Sequence, residues 1–165
     1  MKNIKNPLIF VVEDNPVYNS LITGALKANK FKQVHSFSST EDCLSKISLQ
    51  PDIVVLNYAY SGFTGLDLMR KVHETYPDIA FIFLSGQNDV ETAVKIIKLG
   101  ASDYIVKGEK APERLIRAID SIQTMERRET VRQGLKKGTI YVFIILLIVV
   151  AAIIILALST NIFGF

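Results

Sequence analysis

Five side chains in this sequence could act together on a phosphoryl group or a metal ion. Glu13 and Asp14 follow the apolar run "LIFVV", Asn57 closes "DIVVLN", Ser85 closes "AFIFLS" and Lys107 closes "DYIVK". Each stands at the carboxyl end of an apolar segment. Paired carboxylates suit a hard divalent cation such as Mg2+, which takes oxygen ligands and keeps several waters. A lysine ammonium and a serine hydroxyl can hold phosphoryl oxygens. A dinucleotide or flavin site is disfavoured, because the first loop carries two anions where a phosphate cradle needs glycines. The member that breaks the set is Asn57. A carboxylate there would be a nucleophile towards a phosphorylated donor, whereas a neutral amide is a far poorer one. The amide keeps the shape and hydrogen-bonding capacity of aspartate. It removes one negative charge from a crowded rim, which weakens metal binding and relieves repulsion with Glu13 and Asp14.

These residues need a scaffold that brings strand ends together. The sequence predicts strands over 8–12, 33–37, 52–57, 80–85 and 103–107, alternating with helices over 17–29, 38–48, 65–76, 89–100 and 112–125. Asn15 or Asp14 can cap the first helix ahead of Pro16, Thr64 can cap the third, and Gly100 suits the residue just past the fourth. Strands one, three, four and five are continuous apolar runs, as strands covered on both faces are. The expected fold is therefore α/β, a five-stranded parallel sheet of doubly wound, flavodoxin-like (βα)5 type, with ligands beyond the carboxyl ends of the strands.

With those residues in place, the chain from about Lys5 to Met125 resembles the receiver domain of bacterial two-component response regulators. The resemblance rests on "VVEDNP", "PDIVVLNYAYSGFTGLDL", "FLSG" and "DYIVKG", in order and at the right strand ends. It implies that Glu13 and Asp14 hold Mg2+ with the backbone carbonyl of Ala59. It implies that Ser85 and Tyr104 sense the phosphoryl group, Tyr104 by swinging, and that Lys107 contacts it. It puts Asn57 where the family has its phosphoaccepting aspartate. Ser61 and Gly108 also depart from the family pattern, which has proline at both places. A cis bond before Gly108 is not expected, since cis costs about 2.5–4 kcal/mol without proline.

The remainder of the chain reads as a membrane segment. Ile140–Leu158 is 19 residues without a polar side chain other than Tyr141, about 28 Å of helix at ~1.5 Å per residue, close to a hydrocarbon core. The segment 124–138 carries five cations against two acids, which accounts for the whole net charge of +3. No cation follows the apolar run, so the positive-inside rule puts the first 138 residues in the cytoplasm. The expected organisation is a receiver domain over 1–125, a basic juxtamembrane linker over 126–138 in contact with anionic lipid, a transmembrane helix over 139–159 and a short outer tail over 160–165, single-pass in the inner (cytoplasmic) membrane. Residues 126–138 are too few for a helix-turn-helix, so no nucleic-acid partner is expected. Lone Cys43 reads as a small buried side chain, and His35 and His73, with no partner at ligand spacing, as surface or satisfied histidines rather than sites.

The functional expectation is a membrane-anchored, non-enzymatic receiver that contacts a histidine kinase, a phosphotransfer protein or another receiver without being phosphorylated. Two alternatives stand beside it. One is a conventional phosphorelay receiver carrying an engineered Asp-to-Asn change at position 57. The other is a metal-dependent phosphate hydrolase using Asp14, Glu13 and Lys107.

Overall fold

The apolar runs become strands and the capped amphipathic segments between them become helices. In the computed structural model the order is β1 (Leu8–Val12), α1 (Pro16–Ala28), β2 (Gln33–Phe37), α2 (Thr40–Ser45), β3 (Ile53–Asn57), α3 (Gly65–Thr75), β4 (Ala80–Ser85), α4 (Val90–Lys98), β5 (Asp103–Val106) and α5 (Ala111–Ile162). The structure describes residues 6–58 and 64–162; within α5 the side chains of 126–127, 129–134, 136–138 and 153–162 fall outside that description. Asn15 is the cap of α1, its side chain accepting from the N–H groups of Val17 and Tyr18, with Pro16 in the first turn. Thr64 and Asp67 close a reciprocal capping box at α3. Gly100 takes φ +108° past α4, a conformation that glycine adopts without a Cβ penalty.

All five strands are parallel, in the order β2-β1-β3-β4-β5. The winding direction reverses between β1 and β3, so a crevice opens at their carboxyl ends. Alternate residues of each strand feed two cores. Phe10, Val12, Val54, Leu56, Phe81 and Phe83 pack with Cys43, Leu68, Met69, Val72 and Ile96 from α2, α3 and α4. Ile9, Val11, Ile53, Val55, Ile82 and Leu84 pack with Ile22 and Leu26 of α1 and with Leu115 and Ile119 of α5. Both faces are covered, as continuous apolar strands require. Cys43 is buried, and burial pushes its thiol up to about 12, so it is a packing residue and not a reactive one. His35 stacks on Phe10, and His73 hydrogen-bonds the carbonyl of Ile79 and meets Phe81 edge-on.

One element differs from expectation. The second helix stops at Ser45 and gives way to a 3-10 turn, Ile47–Leu49, because Lys46 and Gln50 leave helical geometry, Gln50 with φ 52°. The basic segment 126–138 lies within α5, Ala111–Ile162. By internal contacts the chain divides into two units, Met1–Thr124 and Met125–Phe165. The first contains the whole sheet and both cores, so residues 1–124 hold everything needed to fold alone. In the second, Ile140–Val150 are exposed throughout. Among the described residues no helix is long and apolar enough to cross a membrane. The fold therefore does not establish the transmembrane helix expected over 139–159.

Candidate functional site

The carboxyl ends of β1 and β3 lie side by side, since Val12 pairs with Leu56. Glu13 and Asp14 therefore reach the same crevice as Asn57. Glu13 is 1% exposed and Asn57 5% exposed, whereas Asp14 lies open on the rim. The amide nitrogen of Asn57 donates to Asp14 Oδ1 at 2.8 Å and to Glu13 Oε1 at 3.3 Å. Lys107, one residue past β5, donates from Nζ to Glu13 Oε2 at 2.6 Å. The Asn15 N–H donates to Glu13 Oε1 at 3.2 Å. The amide can face only this way: turned over, its carbonyl oxygen would meet two carboxylates.

Each charge is thus met from within the protein. Burial pushes the Glu13 carboxyl up from its ordinary pKa, and the hydrogen bond from Lys107 offsets part of that rise. For Asp14 desolvation also acts upward, but the hydrogen bond from Asn57, with Glu13 and the backbone N–H groups, outweighs it and holds the carboxyl below its ordinary pKa. The two groups bend the pH dependence in opposite directions. Protonated Glu13 stabilises the fold below its ordinary pKa, and this is lost as pH rises through its raised folded value. Ionised Asp14 stabilises the fold above its ordinary pKa, and this is lost as pH falls through its lowered folded value.

The expected switch residues form a second group beside the first. Ser85 is fully buried, and its Oγ accepts from the Gln87 N–H at 3.0 Å. Tyr104 is 9% exposed, its ring turned inward, and its hydroxyl donates to the Gln87 carbonyl at 2.9 Å. The Gln87 peptide is therefore gripped from both sides. The Lys107 N–H donates to the Ser85 carbonyl at 2.7 Å, which ties this group to the lysine. Tyr58, after Asn57, packs edge-on against both Phe83 and Tyr104. Ala59 and Ser61 lie outside the described residues, and no cis peptide bond occurs at Gly108.

Sequence reasoning missed three contributors. The Lys107 ammonium sits 4.7 Å from the ring centre of Tyr18, a cation–π contact that steadies it over Glu13. The Asn19 amide donates to the carbonyls of Glu13 and Phe37, fixing the turn after β1. The Gln87 peptide acts through its backbone, for which residue type carries no signal. Tyr18 and Asn19 lie one turn of helix beyond Asp14 and Asn15, and that spacing is the signal that could have found them.

Gly65 holds the strand end from behind. A Cβ there would lie 3.1 Å from the Asn57 backbone oxygen and 3.3 Å from the Phe83 ring. Gly65→Ala is expected to destabilise by about 1–3 kcal/mol through this overpacking. Urea unfolding of the 1–124 fragment measures it, and an unchanged midpoint would show that α3 can draw back freely.

Mg2+ would be held by Glu13 and Asp14, and it would have to displace the donors that engage them. Both oxygens of Glu13 are engaged by donors, and the Asn57 amide places N–H groups where a cation would need a ligand oxygen. Among the described residues no cluster of three metal-ligating side chains occurs. At position 57 the buried end of β3 presents a hydrogen-bond donor rather than a carboxylate.

The chain is 27% identical over 128 residues to the nitrogen assimilation regulatory protein NtrX of Azorhizobium caulinodans, covering 76% of this chain and 28% of that protein. It is 30% identical over 115 residues to the transcriptional regulatory protein CssR of Bacillus subtilis, covering 70% of this chain and 51% of CssR. It thus spans at most about half the length of these two relatives. The CheY-like response regulator receiver domain protein of Methanospirillum hungatei JF-1 superposes with a TM-score of 0.67 at 21% identity, covering 75% of this chain and 98% of that one, a likeness of fold. Residues 9–120 match the response regulator receiver domain family, and a parallel sheet whose β1, β3 and β5 ends bring two carboxylates, position 57 and a lysine together places this chain in that family of two-component signalling.

Proposed function

We propose that this chain is a receiver that signals by protein contact without being phosphorylated. The carrying observation is the Asn57 amide, which donates to Glu13 and Asp14 where an acceptor carboxylate would carry the covalent mark. The amide nitrogen's lone pair is delocalised into its carbonyl, and the neutral amide oxygen is a far poorer nucleophile than a carboxylate. The site therefore serves as a structural hub. Lys107 and Asn57 neutralise the acidic rim, and Ser85 and Tyr104 hold the loop after β4 in one arrangement. The output is a fixed surface read by a histidine kinase, a phosphotransfer protein or another receiver. No catalytic turnover is assigned to it.

Incubation with acetyl phosphate, followed by intact mass and hydroxylamine treatment, tests this reading. No adduct is expected on the chain as it stands. A hydroxylamine-labile gain of one phosphoryl group would refute it. The Asn57→Asp variant tests the alternative of an engineered change. Uptake of phosphate with movement of Tyr104 would show a working switch behind one altered side chain, and inertness would show that divergence extends beyond that side chain.

The same reading places the chain at the inner membrane, receiver in the cytoplasm. Its support is the uncharged run Ile140–Leu158, the exposure of Ile140–Val150 and the five cations that precede the run. Eleven consecutive exposed apolar residues are costly in water, and lipid removes that cost. Full-length protein is expected to resist alkaline carbonate extraction from membranes and the 1–124 fragment to be released. Release of both would remove the anchor.

A further inference from the structure

We propose that the groove between α3 and α4 docks an amphipathic helix of a partner protein whose apolar stripe is flanked by acidic side chains. The groove has a volume of about 530 Å³. Its apolar lining is Val90, Val94 and Leu99, which are 73%, 47% and 36% exposed. Arg70 from α3 and Lys95 and Lys98 from α4 complete the lining, with Glu91 as the single acid. Neither lysine is held in an ion pair among the described residues. The groove shares no residue with the Asn57 cluster, so the inference goes beyond the reading above and stands or falls separately.

The geometry selects the occupant. α4 buries Ile96 alone among its nine residues, so it is amphipathic with an apolar flank left over. Val90 and Val94 are one turn apart and form a short ridge, the spacing at which one helix receives the side chains of another. A groove this open would leave much of a small ligand in water, whereas ligand pockets bury most of theirs. Three cations against one acid favour acidic flanks on the partner. A second copy of this chain docking symmetrically would set Arg70, Lys95 and Lys98 near their own counterparts, which repel.

Two synthetic helical peptides test the assignment on the 1–124 fragment. They share one leucine stripe and differ only in glutamate or lysine flanks. By fluorescence anisotropy the glutamate peptide is expected to bind about fivefold to tenfold more tightly than the lysine peptide, as two or three exposed ion pairs allow. The double variant Lys95→Glu/Lys98→Glu should reverse that order, and Val94→Asp should abolish binding of both peptides. All three substitutions are at exposed positions, and circular dichroism confirms the fold of each variant. Equal binding of the two peptides, no binding of the glutamate peptide, or unchanged binding by Val94→Asp would overturn the proposal. So would Val94-dependent binding to phosphatidylserine vesicles without peptide binding, which would reassign the groove to a membrane. Val94-dependent self-association in sedimentation, without peptide binding, would reassign it to a second copy.

Discussion

Asn57→Asp is expected to lower the stability of the metal-free 1–124 fragment by about 2–4 kcal/mol at neutral pH. The substitution removes the donor to Asp14 Oδ1 and Glu13 Oε1 and sets a third carboxylate between them. Lys107 is the one cation hydrogen-bonded to this cluster among the described residues, and it is already committed to Glu13. Glu13 Oε1 keeps only the Asn15 N–H and Asp14 loses its amide donor, and like charges at this distance raise one another's pKa. The loss should shrink as pH falls and the added carboxylate takes up a proton. Millimolar Mg2+ should return most of the stability to the variant and change the parent little, since only the variant offers oxygen in place of the amide N–H groups. Thermal unfolding with and without Mg2+ reads all of this. If the parent gains as much from Mg2+ as the variant, the internally satisfied site is wrong.

Lys107→Met is expected to cost about 3 kcal/mol, because it leaves Glu13 as an uncompensated carboxylate. Glu13 is 1% exposed and the lysine side chain 21% exposed, so solvent softens the loss only from the lysine side. The Glu13 carboxyl, already raised by burial, should titrate higher still once the Lys107 hydrogen bond and charge are gone. The sign of the pH effect follows. The variant should recover stability as pH falls and Glu13 becomes neutral, and lose it across a wider range as pH rises. Carboxyl NMR of Glu13 with urea unfolding at several pH values checks both. An unmoved Glu13 titration would mean that Lys107 does not govern that charge. The two substitutions share a cluster, so combining them should cost more than their sum.

Much of the fold was legible because local signals and the global arrangement agree. The runs 8–12, 52–57 and 80–85 are too apolar for a sheet with one wet face, and the structure covers both faces with helices. Asn15, Thr64 and Gly100 mark helix ends by mechanisms confined to one turn of chain, and the structure uses all three. The second helix was read too long, because Lys46 and Gln50 give no strong stop signal and the break depends on how the turn packs. The charges of 126–138 interrupt the apolar pattern without ending the helix, because arginine, lysine, glutamine and glutamate are good helix formers and α5 runs through them.

The sequence alone determined which chemical groups stand at the strand ends, and that position 57 carries no nucleophile, because residue identity sets charge and acidity before any folding occurs. It also determined the alternation of strand and helix, since hydrophobic period and capping act over a few residues. Tertiary structure decided what those groups do to one another. The pairing of β1 with β3 brings Asn57 against Glu13 and Asp14 across 43 or more positions of chain, and the lysine arrives from 94 positions away. Hydrogen bonds depend on separations of about 3 Å and on direction. Neither is encoded in spacing along the chain, so a site whose acids are satisfied from within could be seen only once the strands were side by side.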